Sequence, residues 1–185
     1  MDAVLSRHST RFYTSRPVSK ELLDTLLKAA MAAPSAEDER PWHFVVISDR
    51  RTREKIATIL LYAHVVTNAP AAILVCGDES MQKLPGFWPL DCAAATENIL
   101  IEAEQLGMGA EWLGLYPIPG RIQAVRNLLK IPEHVTPFAL VAVGYPAEKK
   151  APGNRYDESR IHRETWPVAE EGSRQPRNGK NYDTD

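Results

Sequence analysis

The chain has 185 residues and a mass of 20.7 kDa, with 22 Lys plus Arg against 24 Asp plus Glu and a formal net charge of -2. Its 44% apolar and 25% charged residues are the balance of a soluble globular domain, which excludes collagen-like, mucin-like and wholly disordered chains. A pI of 6.2 excludes a domain held on nucleic acid by bulk charge, for which a value above about 9 is expected. The length fits one domain with extra arms, large enough to bury roughly 70% of its unfolded-chain surface. Cys76 and Cys92 form no disulfide framework and no Cys-x-x-Cys pair, and their apolar neighbours predict reduced, buried thiols. No apolar run reaches the ~18–20 residues of a membrane span, and Met1 to Tyr13 carry no signal-peptide pattern. The expected location is cytoplasmic, with no membrane and no nucleic-acid partner.

In chain order, Ser19 is a good N-cap and Leu22, Leu23, Leu26, Leu27 and Ala30 form one apolar face, so 19–33 is predicted helical, with Pro34 as its stop. His43-Phe44-Val45-Val46-Ile47 reads as a buried strand. A short helix follows over 50–61, with Ile56, Ile59 and Leu60 inward, and then a buried strand over 71–76. Residues 77–90 hold Pro85, Gly86 and Pro89 and read as a loop. The strongest helix runs over 91–106; it is apolar around much of its circumference, which predicts a central position, and Gly107 ends it. A strand over 110–116, a helix over 119–129 and a strand over 138–143 complete the series. This alternation predicts an α/β or α+β fold with a sheet covered on both faces. Residues 146–166 read as an extended arm anchored by Tyr156, Ile161 and Trp166, with a second subunit as the natural surface for it. Residues 167–185 offer only Val168, Ala169 and Tyr182 as apolar side chains and are expected to be a disordered tail.

P-loop, zincin and nucleophile-elbow motifs are absent, the five histidines are scattered, and Gly107-x-Gly109 is not followed by a third glycine. No metal site is expected. Arg7-His8-Ser9-Thr10-Arg11 puts two guanidinium groups, an imidazole and two hydroxyls in five residues, which suits a phosphate but also a solvated turn. Pro34 and Ser35 open a helix-to-strand loop that ends at Pro41-Trp42. Gly114 in Glu111-Trp112-Leu113-Gly114 marks either a bulge or a close backbone approach to something flat. Arg155, alone, reads as a solvated charge.

As an ordered set these pieces resemble the nitroreductase family of FMN-dependent oxidoreductases. They are Arg7 to Arg11, Ala33-Pro34-Ser35 with Pro41-Trp42-His43-Phe44, the helix ending at Gly107, Trp112-Leu113-Gly114, and Val143-Gly144-Tyr145-Pro146 with Arg155 beyond. The likeness covers about residues 3–166. It implies a mixed, mainly antiparallel sheet with helices on both faces, in an intertwined homodimer with FMN between the chains. By that likeness Arg7 and Ser9 take phosphate or ribityl oxygens, with His8 beside them. Arg11 reaches N1 and the C2 carbonyl, where a fixed cation favours the reduced flavin. Pro34 and Ser35 resemble positions that touch the flavin from the facing subunit. Gly114 offers an N–H near N5, with Leu113 next to it, and Arg155 closes the phosphate site. The stretch Ala36-Glu37-Asp38-Glu39-Arg40 departs from the family's polar pattern: Asp38 can accept from the flavin N3–H but cannot donate to a carbonyl, whereas Arg40 can. A second cation is missing at Gly153-Asn154, where Lys149 or Lys150 could compensate.

The resemblance implies a ping-pong reaction in which NADH or NADPH and then a flat acceptor, a nitroaromatic or quinone, use the same place on the cofactor. No acid, base or nucleophile of the protein is expected to be essential. Phe87 and Trp88 are candidate stacking walls or, equally, loop anchors. No charge that would select the 2′-phosphate of NADPH stands out. The rival readings are dehalogenation or flavin breakdown on the same fold, a module that stores or senses FMN, and an unliganded interaction protein with Arg7 and Arg11 as surface charges.

Overall fold

The computed structural model describes residues 2–60, 63–148, 151 and 153–166, in two units, Met1–Pro152 and Gly153–Asp185. In the first unit two strands are buried at every position, β2 (Ala71–Asp78) and β4 (Val135–Gly144). They pair with each other at the centre of a sheet whose edges are β1 (Trp42–Ile47) and β3 (Gly109–Gly114), in the order β1-β2-β4-β3. Every pairing of these strands is antiparallel. Burial on both faces is why β2 and β4 read as unbroken apolar runs rather than alternating ones. Ala71, Ile73 and Val75 with Val141 and Val143 face one layer, and Ala72, Leu74 and Cys76 with Leu140 and Ala142 face the other.

The first layer holds α2 (Lys20–Met31) and α5 (Trp88–Gln105). The second holds α3 (Arg50–Ala57), α4 (Ala63–Asn68) and α6 (Pro119–Leu129). A four-residue helix, α1 (Ala3–Ser6), precedes them, capped by Asp2. The fold is thus α+β, with helices on both faces of an antiparallel sheet. The Ser19 hydroxyl accepts from the Leu22 N–H as an N-cap, and α5 ends at Gly107, whose φ of +69° lets the Met108 N–H reach the Ala103 carbonyl at 2.8 Å. Among the described residues no helix is long and apolar enough to cross a membrane. Cys76 and Cys92 are free and buried, and burial pushes the Cys76 thiol up to about 12 and the Cys92 thiol up as well.

Several boundaries differ from the sequence reading. The helix expected over 50–61 stops at Ala57, and α4 was not foreseen; six residues carry too little periodicity to show. The 77–90 segment is a loop only in its middle, since Gly77 and Asp78 finish β2 and α5 starts at Trp88. Strand β3 ends at Gly114 instead of 116, and β4 begins at Val135 instead of 138, with Pro137 beside a register shift in its pairing with β2. Trp88 is a core residue, not a stacking wall: it is 5% exposed, fills the space over Gly77, and meets Tyr116 and Phe138 edge-on at 4.9 and 6.1 Å. Phe87 is exposed.

Residues 35–40 join α2 to β1 through a short 3-10 turn, Ala36–Asp38. Glu37, Asp38 and Arg40 have φ of +48°, +52° and +45°, and none is glycine. Such strain persists only where neighbours over-determine it. Here the Ser35 hydroxyl accepts from the Arg40 N–H, and Asp91 in the first turn of α5 accepts from the Ala36 N–H, both at 3.0 Å. Glu39 accepts from the N–H groups of Lys83 and Leu84, and the Lys83 ammonium donates to the Glu37 carbonyl. Burial opposes ionisation of Glu39, but those two N–H groups outweigh it and hold its carboxyl low. Burial pushes the Asp91 carboxyl up, and the Glu39 carboxylate beside it adds to the rise against the Ala36 N–H. The remaining oxygens of the two, Glu39 Oε1 and Asp91 Oδ2, are buried without another partner, an arrangement that one proton shared between the carboxyls would satisfy.

The second unit, within residues 153–166, is open chain around a 3-10 turn, Glu158–Arg160, capped by Asp157. The expected anchors Tyr156, Ile161 and Trp166 are exposed in this chain. The tail expected over 167–185 lies outside the described residues.

Two predictions follow from these contacts. A Cβ at 77 would collide with the Trp88 ring, so Gly77→Ala should lower unfolding free energy by about 1–3 kcal/mol in urea melts, and Trp88→Leu in the same chain should recover part of it. A raised carboxyl contributes stability fully below its unfolded value and loses it as pH rises through its folded value. Asp91→Asn keeps the acceptor for Ala36 and gives Glu39 a permanent donor. The stability of the native chain minus that of Asp91→Asn should therefore fall as pH rises from about 4 upward, and a flat difference would show that no proton is shared.

Candidate active site

The N-terminal stretch is laid along the outer edge of β3. Ser9 forms a parallel bridge with Ala110, and the Thr10 N–H donates to the Ala110 carbonyl at 3.0 Å. This bridge is isolated; the sheet itself is wholly antiparallel among the described residues, where a mixed one was expected. Thr10 lies so close to Gly109 that any Cβ there would collide with its side chain. The Tyr13 hydroxyl is shared between the carbonyls of Thr10 and Ala142, at 2.7 and 3.2 Å, and the Thr14 N–H reaches the Tyr145 carbonyl at 2.8 Å. Burial, reinforced by the Glu111 charge, raises the Tyr13 phenol far above its ordinary value, so it remains a donor.

This docking fixes two cations. Arg7 Nε lies 3.0 Å from Glu97 Oε1 on α5, and Arg11 Nη2 lies 3.2 Å from Glu111 Oε1 on β3. The pairs differ in burial: the Glu97 side chain is 43% exposed and that of Glu111 only 11%. Glu111 Oε2 is buried without a hydrogen-bond partner. His8 is half-buried, with Nδ1 3.3 Å from the Ser6 carbonyl.

Past Ala110 no further strand pairs with this edge among the described residues. Backbone groups of an antiparallel strand point alternately to its two sides. The Ala110 carbonyl faces outward to Thr10, so the N–H and carbonyl of Trp112 and Gly114 face outward too. Arg121, in the first turn of α6, donates through Nη1 to the Gly114 carbonyl at 3.1 Å. A Cβ at Gly114 would meet nothing within 4 Å, so bare backbone fronts open space there. That space belongs to a cavity of about 590 Å³. Arg11, Glu111, Trp112, Leu113 and Gly114 line one side, and Leu60, His64 and Arg121 the other.

Of the residues singled out from sequence, Arg11, Leu113 and Gly114 border this cavity, and Arg7, His8 and Ser9 continue along the same edge. Pro34, Ser35 and Asp38 do not line it; they sit on the 35–40 loop beside the start of α5. Both Asp38 oxygens are taken by Arg40, at 2.6 and 2.8 Å, so the two side chains satisfy each other. Arg155 belongs to the second unit and is exposed. The reading from sequence missed Leu60, His64 and Arg121, which reach the cavity from α3, α4 and α6 or just beyond them. The one signal for Arg121 was a cation in a first helical turn that has no acidic residue.

The cavity, the arginine-bearing edge and the fold can be set beside known proteins. A protein of Methanothermobacter thermautotrophicus, provisionally named NADH dehydrogenase/NAD(P)H nitroreductase, is 48% identical over 166 residues, 90% of this chain and 87% of the relative. A crystal structure under the same provisional name from Parabacteroides distasonis superposes with a TM-score of 0.85 at 43% identity, covering 89% of this chain and 96% of that one. A provisionally named nitroreductase from Desulfovibrio desulfuricans, solved in complex with FMN, gives a TM-score of 0.77 at 29% identity over 89% of this chain and 96% of its own. The model of the nitroreductase family matches residues 4–82 and 59–145. With most of its length matched by that model and by a relative at 48% identity, the chain belongs to the nitroreductase family.

Proposed function

We propose that the chain is an FMN-dependent oxidoreductase that uses NADH or NADPH to reduce flat acceptors such as nitroaromatics or quinones. The observation that carries this reading is the open edge of β3. Between Trp112 and Gly114 it presents outward-facing strand backbone, of which the Gly114 carbonyl is held by Arg121, to a cavity of about 590 Å³, with a guanidinium at each end. A cavity of this size suits a flat ring system. The space a Cβ at Gly114 would occupy is empty, which is what a ring lying against backbone requires. The family's relatives carry nicotinamide nucleotides and nitroreduction in their names, and one neighbour holds FMN.

In this reading Arg7 and Ser9, with His8 beside them, hold the FMN phosphate and ribityl oxygens. Arg7 must leave or share Glu97, the more exposed partner of a half-buried ion pair. Arg11 holds a positive charge at N1 and the C2 carbonyl. Gly114 gives its outward N–H to N5, with Leu113 and Leu60 keeping water from that end of the cavity. FMN, when bound, supplies the two-electron chemistry. The chain's own residues bind, orient and set local charge, and no acid, base or metal ligand is called for. Pro34, Ser35 and Asp38 come from the second chain of a homodimer. The exposed apolar residues Val4, Leu5, Met31 and Leu90 support such a dimer.

The test is a visible spectrum of protein purified with FMN, before and after anaerobic NADH or NADPH. Bands near ~370 and ~450 nm that bleach with either donor are expected of a flavoenzyme; bands that neither donor bleaches would point to a flavin-binding module, and no bands would overturn the assignment. Arg11→Gln should lower the two-electron midpoint potential of bound FMN by roughly 30–60 mV, since 30 mV corresponds to about 1.4 kcal/mol of lost charge stabilisation. Gly109→Ala should push Thr10 off the strand and weaken FMN retention about tenfold in equilibrium dialysis.

A further inference from the structure

We propose that Arg121 selects the molecule that shares the cavity with the flavin, favouring one that carries an anionic group. The inference rests on the flavin reading above and adds the chemistry of the substrate. Of the two arginines at the cavity, Arg11 faces the largely buried Glu111 at 3.2 Å, so its charge is balanced inside the protein. Arg121 is different. Among the described residues its one recorded contact is the Gly114 carbonyl, a neutral acceptor, through a single nitrogen. A guanidinium carries five donors, and one such bond leaves the others for a ligand. No acidic residue lies in the first turn of α6, and the one carboxylate lining the cavity, Glu111, is engaged by Arg11. The net charge of the cavity wall is therefore set by Arg121.

Its position makes that charge selective. The Gly114 carbonyl that Arg121 holds belongs to the residue whose N–H is assigned to N5, so the guanidinium stands one peptide from the reacting edge. A molecule stacked over that edge brings any carboxylate, sulfonate or phosphate at its rim within reach of a fixed fork. The anion within that reach is an acid group at the rim of the acceptor; the 2′-phosphate of NADPH lies at the adenosine end of the nucleotide, far from a nicotinamide stacked over the same edge, and serves as the control. A charge-assisted hydrogen bond in a partly enclosed site supports about a tenfold preference.

Matched substrates test the assignment. In the FMN-loaded protein at low salt, kcat/KM is measured for 4-nitrobenzoate against 4-nitrobenzamide, and for NADPH against NADH as the control. Binding of benzoate against benzamide is read from the perturbed visible spectrum of the oxidised protein, without turnover. The expected result is a charged-over-neutral ratio of about ten in the nitrobenzoate and benzoate pairs, shrinking as salt is raised. That ratio should fall to about one in Arg121→Gln and be largely kept in Arg121→Lys, with the NADPH-over-NADH ratio the same in all three. Acid-over-amide ratios near one in the native protein, ratios that Arg121→Gln leaves unchanged while lowering both members alike, or a change confined to the nucleotide pair would overturn the proposal. Protein that takes up no FMN fails at the first spectrum, which overturns the flavin reading and, with it, this inference. Retained flavin absorbance in each variant shows that it is folded.

Discussion

The whole site hangs on how closely residues 9 and 10 lie against β3. An edge strand offers a row of backbone donors and acceptors that must be paired, covered or used. Thr10 takes the first outward carbonyl, that of Ala110, and can do so because Gly109 has no side chain to hold it off. Tyr13 then turns the stretch away from the edge: its hydroxyl ties Thr10 to Ala142, and Thr14 pairs with Tyr145. The pairing therefore stops after one bridge, and beyond it the Gly114 carbonyl is met by Arg121 instead of by a strand. One close approach both sets the arginines in place and limits how much of the strand they cover.

The two arginines fixed in this way are not equivalent. Glu97 is the more solvated of the two acids, so Arg7 is the arginine that can turn to the phosphate in the proposed reading. Glu111 is largely enclosed, and removing its partner would strand a buried carboxylate, a loss of several kcal/mol in comparable pairs. Arg11 thus has a structural duty to Glu111 and a proposed electronic duty to the flavin. The two are compatible because a guanidinium fork can face a carboxylate with one edge and a carbonyl with another. The same balance leaves Arg121 as the charge a second ligand meets.

What the sequence could reveal follows from the range of each interaction. The 3.6-residue pattern of α2 and the doubly apolar runs of β2 and β4 are local, and they were legible together with the Arg7 to Arg11 cluster. Helix α4 was too short for a pattern. Trp88 looked like a loop residue because its partners, Gly77, Tyr116 and Phe138, are distant in sequence and only folding brings them together. Arg121 joined the cavity for a similar reason, through the turn that brings α6 back over the end of β3. Asp38 read as a free acceptor; the left-handed backbone at 37–40, which folds Arg40 back onto it, is invisible in a run of residues with no glycine.

That loop bears on the assembly. Three left-handed residues are held by hydrogen bonds from α5 and from Lys83 and Leu84, yet nothing on the loop reaches the cavity of its own chain. Strain maintained at this cost makes physical sense where the shape is presented to something outside the chain. The surrounding surface agrees in character. The layer formed by α2 and α5 buries its inner side against the sheet, while Met31 on α2, Leu90 on α5 and Val4 and Leu5 on α1 remain exposed. Exposed apolar side chains gathered on this layer favour a second cover. In the proposed homodimer a second copy of the chain would supply that cover and bring with it its own Pro34, Ser35 and Asp38, which do not line the cavity of the chain that carries them.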